Sequence, residues 1–311
     1  MDHVWIVILN YRGWDDTRVC LQSIQDAAWR GVNVVVVDNG GEEQKSAALR
    51  REFPWCTVLV NGDNLGFSAG NNIGIRHALD RGAAWVLLLN NDMVVLSGLL
   101  ERLLQVGAAG FGIVGPGISY MDEPDLLMPT AFAFCPPHSS AIFQSVEVAP
   151  GAVRCVDVVM GCAMFVSRDV FADVGLLWPE YFLQHEETDY CLRTLDRGWR
   201  VGAVGDVLAR HKGGSSFRRE GMAQWYYYDC RNLFLLARRL RSLKEGAARA
   251  RRLVGRSTAY ARYQYLRAVR EGRAPDALAL SQGVWDGATG RFGRRISRIG
   301  PGAHLVRVAL A

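Results

Sequence analysis

The first part of the chain is built from short apolar blocks, each closed by polar residues and followed by a stretch of mixed character. VWIVILN (4–10), NVVVVDNGG (33–41), TVLVNGDN (57–64) and WVLLLNND (85–92) are aliphatic, largely β-branched runs, of the kind that strands buried on both faces show. Between them, DDTRVCLQSIQDA (15–27) sets Val19, Leu21 and Ile24 among polar residues, with Asp15 or Asp16 as the helix cap. SAGNNIGIRHALDRG (68–82) opens on Ser68 as a cap and ends at Gly82, the residue type favoured just past a helix end. The pattern predicts β-α-β-α-β-α-β and a parallel or mostly parallel sheet. Its polar residues follow the strands, on the side where open α/β sheets bind ligands.

Further on, SGLLERLLQVG (97–107) predicts a helix and GIVGPGI (112–118) a strand, and 156–175 predicts a strand followed by a short helix. Residues 119–155 hold Pro124, Pro129, Pro136, Pro137 and Pro150 without a sustained period, which reads as a functional loop or surface insertion. Past about residue 216 the chain becomes helical and rich in Arg. The pattern divides the chain into an α/β unit over 1–216, with a break near 118, and a basic, mainly helical region over 217–311.

Charge sharpens that division. Residues 1–192 hold 11 Lys/Arg against 23 Asp/Glu, and residues 193–311 hold 25 against 8, within a net charge of +5. A basic tail with interleaved Tyr and Trp predicts contact with something anionic. Signatures of nucleic-acid modules are missing, so no nucleic acid is expected, and an anionic membrane surface or a phosphorylated lipid fits the charge equally well. The alternative is a tail that serves as a solvated or homodimer surface. Seven scattered cysteines without a CxxC pair argue for a reducing compartment and against a disulfide framework or structural zinc. The start is too short and too acidic for a signal peptide, and no run reaches the length of a membrane span. A cytoplasmic protein, peripheral at the inner face of the membrane, is the expectation.

Four polar clusters carry candidate chemistry. Asn10 and Tyr11 close the first strand, and Asp38 and Asn39 the second; a ring beside a carboxylate suits a nucleobase and its ribose. NGDNLGFSAGNN (61–72), with Asn64, Gly66 and Asn72, opens a helix whose amino end favours negative groups. Asn90, Asn91 and Asp92 offer oxygen ligands of the type Mg²⁺ and Mn²⁺ accept. Between Gln184 and Asp189 lie His185 and the carboxylates Glu186, Glu187 and Asp189, beside aromatic Tyr181 and Phe182, and a carboxylate against an apolar wall suits a general base. Glu186, Asp189 and Arg193 share one helical face, with Glu187 turned about 100° away. His211 ends a predicted strand before a Gly-rich turn.

The ordered set VILNYRG, VVVVDNG, NLGFSAGNN, LLLNND, GCAMFVSR, VGLLWPEYFLQHEETDYCLR and ARHKGGSS resembles family 2 glycosyltransferases of the GT-A fold, closest in look to bacterial rhamnosyltransferase-like members. The resemblance runs from residue 4 to about 216 and touches YYYDCRNLFLLARR (226–239). It implies an α/β fold with a nucleotide-sugar-binding, Rossmann-like mixed sheet flanked by helices. It places Asp92 at the family's Asp-x-Asp signature, with the first acid replaced by Asn90, and makes Asp92 and His211 the metal ligands for Mg²⁺ or Mn²⁺. Asn10, Tyr11, Asp38, Asn39, Asn64, Gly66, Asn72, Asn90 and Asn91 fall on the donor side, and Trp178, His185 and Asp189 on the acceptor side. Glu187 takes the place of the catalytic base, one methylene longer than the usual Asp, with Glu186 as the alternative. The implied reaction is an inverting transfer of a sugar from a dTDP- or UDP-sugar to a glycan or lipid-linked acceptor. A catalytically inactive sugar-nucleotide binder on the same fold is the competing reading. A dehydrogenase is disfavoured because no GxGxxG follows the first strand.

Overall fold

The computed structural model describes residues 3–213, 222–244 and 246–295. Its centre is a nine-stranded mixed sheet in the order β3-β2-β1-β4-β11-β6-β12-β5, with β9 paired beside β12. The left-hand part is parallel: β1 (Val4–Asn10) lies between β2 (Val32–Asp38) and β4 (Trp85–Asn90), and β3 (Thr57–Val60) flanks β2. β11 (Ala163–Ser167) then enters antiparallel between β4 and β6 (Phe111–Tyr120), and β12 (Arg200–His211) runs parallel to β6. Short β5 (Met93–Val95) closes one edge against the end of β12, and β9 (Val153–Cys155) pairs with its start.

Alternation along β1 shows how the sheet is buried on both faces. Val4, Ile6 and Ile8 join one core with α1 (Trp14–Asp26), α2 (Glu43–Glu52) and α4 (Leu99–Ala108). Trp5 and Val7 join the other, with α3 (Gly66–Asp80), α5 (Arg168–Val174) and α6 (Glu186–Asp196). Successive side chains of a strand point to opposite faces, so helices on both sides demand a continuous apolar run. The same second core takes Leu233, Leu235, Leu236 and Leu240 from α7 (Met222–Leu240) and Leu253 from α8 (Gly246–Arg270). α9 (Ala274–Thr289) packs against both of these helices. The basic helices are therefore built into the core of the main sheet.

Several local expectations give way. Ser68 lies inside α3, which begins at Gly66, because the left-handed Gly66 (φ +80°) turns the chain into the helix earlier. The cap of α1 is Gly13, with Asp15 and Asp16 in the first turn, and Val19 faces solvent. The proline-rich 119–155 contributes β7 (Ala131–Phe134) and β8 (Phe143–Ser145), which with β10 (Val158–Val159) form a separate three-stranded sheet, as well as β9 of the main sheet.

Close approach of α3 to the sheet depends on Gly74, where a Cβ would lie 2.4 Å from Val7 Cγ1. Gly74→Ala is expected to destabilise by about 1–3 kcal/mol through overpacking, more than the roughly 1 kcal/mol that Ala gains as a helix former. A urea midpoint equal to or above the parent's would contradict this packing.

Candidate active site

A cavity of about 1010 Å³ opens at the carboxyl ends of β1 and β4. At one end of it, the end of β4 and the turn that follows present Asn90, Asn91 and Asp92, and β12 ends on His211, all of them lining the cavity. His211 Nε2 lies 3.0 Å from Asp92 Oδ1, with both side chains buried. Burial opposes a charge on His211, but Asp92 and Cys162, through their hydrogen bonds and charge, together outweigh burial and raise its pKa to about 10.

The loops around this pair are fixed by amides. Asn91 Nδ2 donates to Gly13 O at 3.0 Å and to Thr17 Oγ1 at 3.1 Å, while Asn10 Oδ1 accepts from Gly13 N. These bonds tie the β1–α1 loop to the end of β4 and leave Tyr11 on the cavity wall. Asn39 Nδ2 donates to Asn64 Oδ1, and Asn39 Oδ1 accepts from Leu65 N and Asn61 Nδ2, which sets the rim at Asn64 and Gly66.

The other end of the cavity is made by the start of α6 and by the C-terminal helices. His185, Glu186 and Glu187 line the cavity, opposite Trp225 and Asp229 of α7 and Tyr260 of α8. Glu187 packs on Gly161, where a Cβ would come within 3.1 Å of it, and accepts the Thr188 hydroxyl at 3.0 Å. Glu186 is buried, and desolvation, reinforced by the charge of Glu187, raises its pKa well above the usual carboxylate range. His185 Nε2 lies 2.8 Å from Asp229 Oδ1. Burial works to lower its pKa, but Asp229 overcomes this and raises it.

Five residues assigned to the site from sequence stand outside the cavity lining. Asp38 is fully buried, accepting from Gly40 N, Glu42 N and Ser46 Oγ, so it shapes the β2–α2 loop from behind. Asn10 is likewise buried under its loop. Asn72 spends both ends of its amide on the Leu177 backbone, a link across 105 positions that periodicity cannot reveal. Asp189 turns away to Arg193 at 2.7 Å and toward Arg239 at 3.7 Å, bracing α6 against α7. Trp178 sits under the Arg239 guanidinium. Conversely, Asp229, Trp225, Arg256 and Tyr260 belong to the cavity without having been singled out as site residues; the clustered aromatic residues of the basic region were their only signal. Arg256 donates to the carbonyls of Pro136, Ser139 and Ala141 and so fixes the loop that walls this side.

Whether the end of the cavity at Asp92 and His211 suits a divalent cation follows from its atoms. Asp92 supplies an oxygen and His211 a nitrogen at one point of the cavity wall. Among the described residues, no cluster of three or more His, Cys, Asp or Glu is placed to hold a metal. Two protein ligands fit an ion that completes its shell with water and substrate phosphates.

Comparison with known proteins gives a consistent result. The model of the family described as glycosyl transferase family 2 matches residues 5–174. The low-salt glycan biosynthesis hexosyltransferase Agl10 of Haloferax volcanii is 28% identical over 249 residues, 76% of this chain and 75% of that protein. The dTDP-rhamnosyl transferase RfbF of Shigella flexneri is 27% identical, over 66% of this chain and 71% of that protein. Among solved structures, the mannosyltransferase PcManGT from Pyrobaculum calidifontis, in complex with GDP-Man and Mn²⁺, superposes with a TM-score of 0.58. It is 14% identical and covers 99% of this chain and 79% of that one, a likeness of fold.

The raised pKa of His211 sets a pH dependence. Stability from the Asp92–His211 pair is fully present below about pH 6.5, the ordinary imidazole value, and is lost as pH rises through about 10. In EDTA, the parent's advantage in urea midpoint over His211→Gln is expected to be largest near pH 6 and to shrink toward pH 10. A gap that widens with pH would contradict this pairing.

Proposed function

The chain belongs to glycosyl transferase family 2, and from that premise we propose an inverting transfer of a sugar from a dTDP- or UDP-linked donor to an acceptor hydroxyl. One observation carries the reading: a single cavity holds the Asp92–His211 pair on its donor side and the Glu186–Glu187 start of α6 on the other.

In this proposal Asp92 and His211 hold Mg²⁺ or Mn²⁺ against the donor's diphosphate. The ion, when bound, offsets the negative charge that grows on the leaving nucleoside diphosphate. Mn²⁺ beside GDP-Man in the Pyrobaculum structure supports this assignment, as the dTDP-rhamnosyl transferase name of the Shigella relative supports the donor class. Asn90 in place of a second acid leaves fewer anionic ligands, so the ion depends more on the diphosphate. Tyr11 stacks on the base, and Asn39, Asn64, Gly66, Asn90 and Asn91 shape the donor cleft. The acceptor oxygen attacks the anomeric carbon, the bond from that carbon to the diphosphate oxygen breaks, and Glu187 takes the hydroxyl proton. One base and one displacement imply inversion.

The acceptor side supports a lipid-linked glycan. Its wall carries Phe143, Trp225 and Tyr260, and α8 exposes Tyr263, Leu266 and Val269 between Arg262 and Arg270. Among the described residues, no helix is long and apolar enough to cross a membrane. An amphipathic helix with arginines beside apolar side chains lies on an anionic surface. The full chain is expected to sediment with anionic vesicles at low salt, less so at high salt and less in a Tyr263→Ser, Leu266→Ser variant. Absence of low-salt binding overturns the membrane contact, and salt-insensitive self-association would assign the face to a second copy.

The donor proposal is tested by melting temperature against UDP, dTDP, GDP and CMP, each with and without Mn²⁺. Ligand at 100 times its Kd stabilises by about 2.7 kcal/mol, so the matching diphosphate should produce a clear shift. We expect that shift to need Mn²⁺ and to lose its Mn²⁺-dependent part in Asp92→Ala. Glu187→Gln should keep the shift while turnover falls by about 100-fold or more. No shift with any nucleotide, or a full shift in Asp92→Ala, contradicts the assignment.

A further inference from the structure

The segment that delivers Glu187 into the cavity is conformationally costly. Phe182, Gln184 and His185 have φ of 60°, 72° and 68°, three residues with a Cβ in left-handed backbone within four positions. Each such residue costs on the order of 1–3 kcal/mol, and the state persists only where neighbours over-determine it. Here the neighbours are two adjacent side chains of α7. Arg231 Nη2 donates to Glu180 O at 3.0 Å and Tyr181 O at 2.7 Å. Asn232 Nδ2 reaches Tyr181 O at 3.0 Å, Leu183 O at 2.6 Å and Gln184 O at 2.7 Å. The two side chains also hold one another, with Asn232 Oδ1 accepting from Arg231 Nε at 2.8 Å. Both are fully buried. Neither lines the cavity, so neither meets a substrate.

The same loop is gripped from the donor side. Phe182 O accepts from Phe67 N at 2.5 Å, and a Cβ on Gly66 would lie 2.4 Å from that oxygen. The Phe182 ring stacks on Tyr228, with centroids 5.1 Å apart. Asp229, on the same helix, holds His185, the residue that caps α6.

We propose that Arg231 and Asn232 are positioning residues for the base: by binding the carbonyls of Glu180, Tyr181, Leu183 and Gln184 they hold the left-handed entry to α6 and so aim Glu187 at the acceptor. The proposal rests on the reading of Glu187 as base. It makes α7 part of the catalytic apparatus although it touches no reacting atom.

The test compares the full-length parent, Asn232→Ala, Arg231→Lys and Glu187→Gln. Three readouts are needed: the shift in melting temperature by nucleoside diphosphate with Mn²⁺, hydrogen exchange of peptides over 180–190 and 85–95, and kcat and KM for release of nucleoside diphosphate from the sugar nucleotide. For Asn232→Ala we expect exchange over 180–190 to quicken by about tenfold while 85–95 is unchanged. Its kcat should fall by about 100-fold with donor KM little altered, since small misplacements of a reacting group cost on that order. Arg231→Lys, which keeps charge but loses the planar fork, should show the same pattern more weakly. Unchanged exchange over 180–190 overturns the clamp, and quickened exchange with parental kcat overturns the positioning role. Loss of the nucleotide shift together with faster exchange throughout, in both variants, shows a merely structural role and also overturns it. Full activity in Glu187→Gln instead removes the base reading itself, whatever the clamp variants do.

Discussion

A hydrogen bond between residues 119 positions apart governs the mouth of the sheet: Asp92 Oδ1 to His211 Nε2 at 3.0 Å. It joins the turn between β4 and β5 to the far end of β12, beside the pairing of Met93 with His211. Taking two ionisable groups out of water is expensive, and such a pair is weak evidence for stability alone. In the proposed reaction these two groups, both lining the cavity, are kept for the metal and the donor's diphosphate. The asparagine brackets at Asn91 and Asn39 follow from this constraint, because the β1–α1 loop and the α3 entry must be held at fixed distance from it.

The other end of the cavity solves a different problem. A carboxylate must be presented on the first turn of a helix, yet the chain reaches that turn through backbone that side chains resist. Burying Arg231 and Asn232 against five carbonyl contacts satisfies their polar groups and fixes the loop at once. This explains why the helices after β12 share the main core. It also explains why their inner face carries Asp229, Arg231 and Asn232 while α8 shows arginines to solvent.

The four parallel strands were legible because burial on both faces leaves unbroken apolar runs, and the polar residues after them marked the crevice. β5 was not, since three residues after Asp92 look like the tail of the same run. Nor was the small sheet of β7, β8 and β10, whose strands of two to four residues lie among prolines. Residue type located Asp92, His211 and the Glu186–Glu187 pair, but could not tell a side chain facing the cavity from one facing a neighbour. Asn72 is the instructive case: its partner, Leu177, is distant in sequence, and only packing reveals it.

The proposed reaction is a single displacement driven by one base at Glu187. The most direct measurement is the anomeric configuration of the first product, read by NMR against that of the sugar nucleotide consumed. Inversion is the predicted result. Retention would require a second displacement or a covalent intermediate, and would contradict the assignment of Glu187 as a base acting on the acceptor alone.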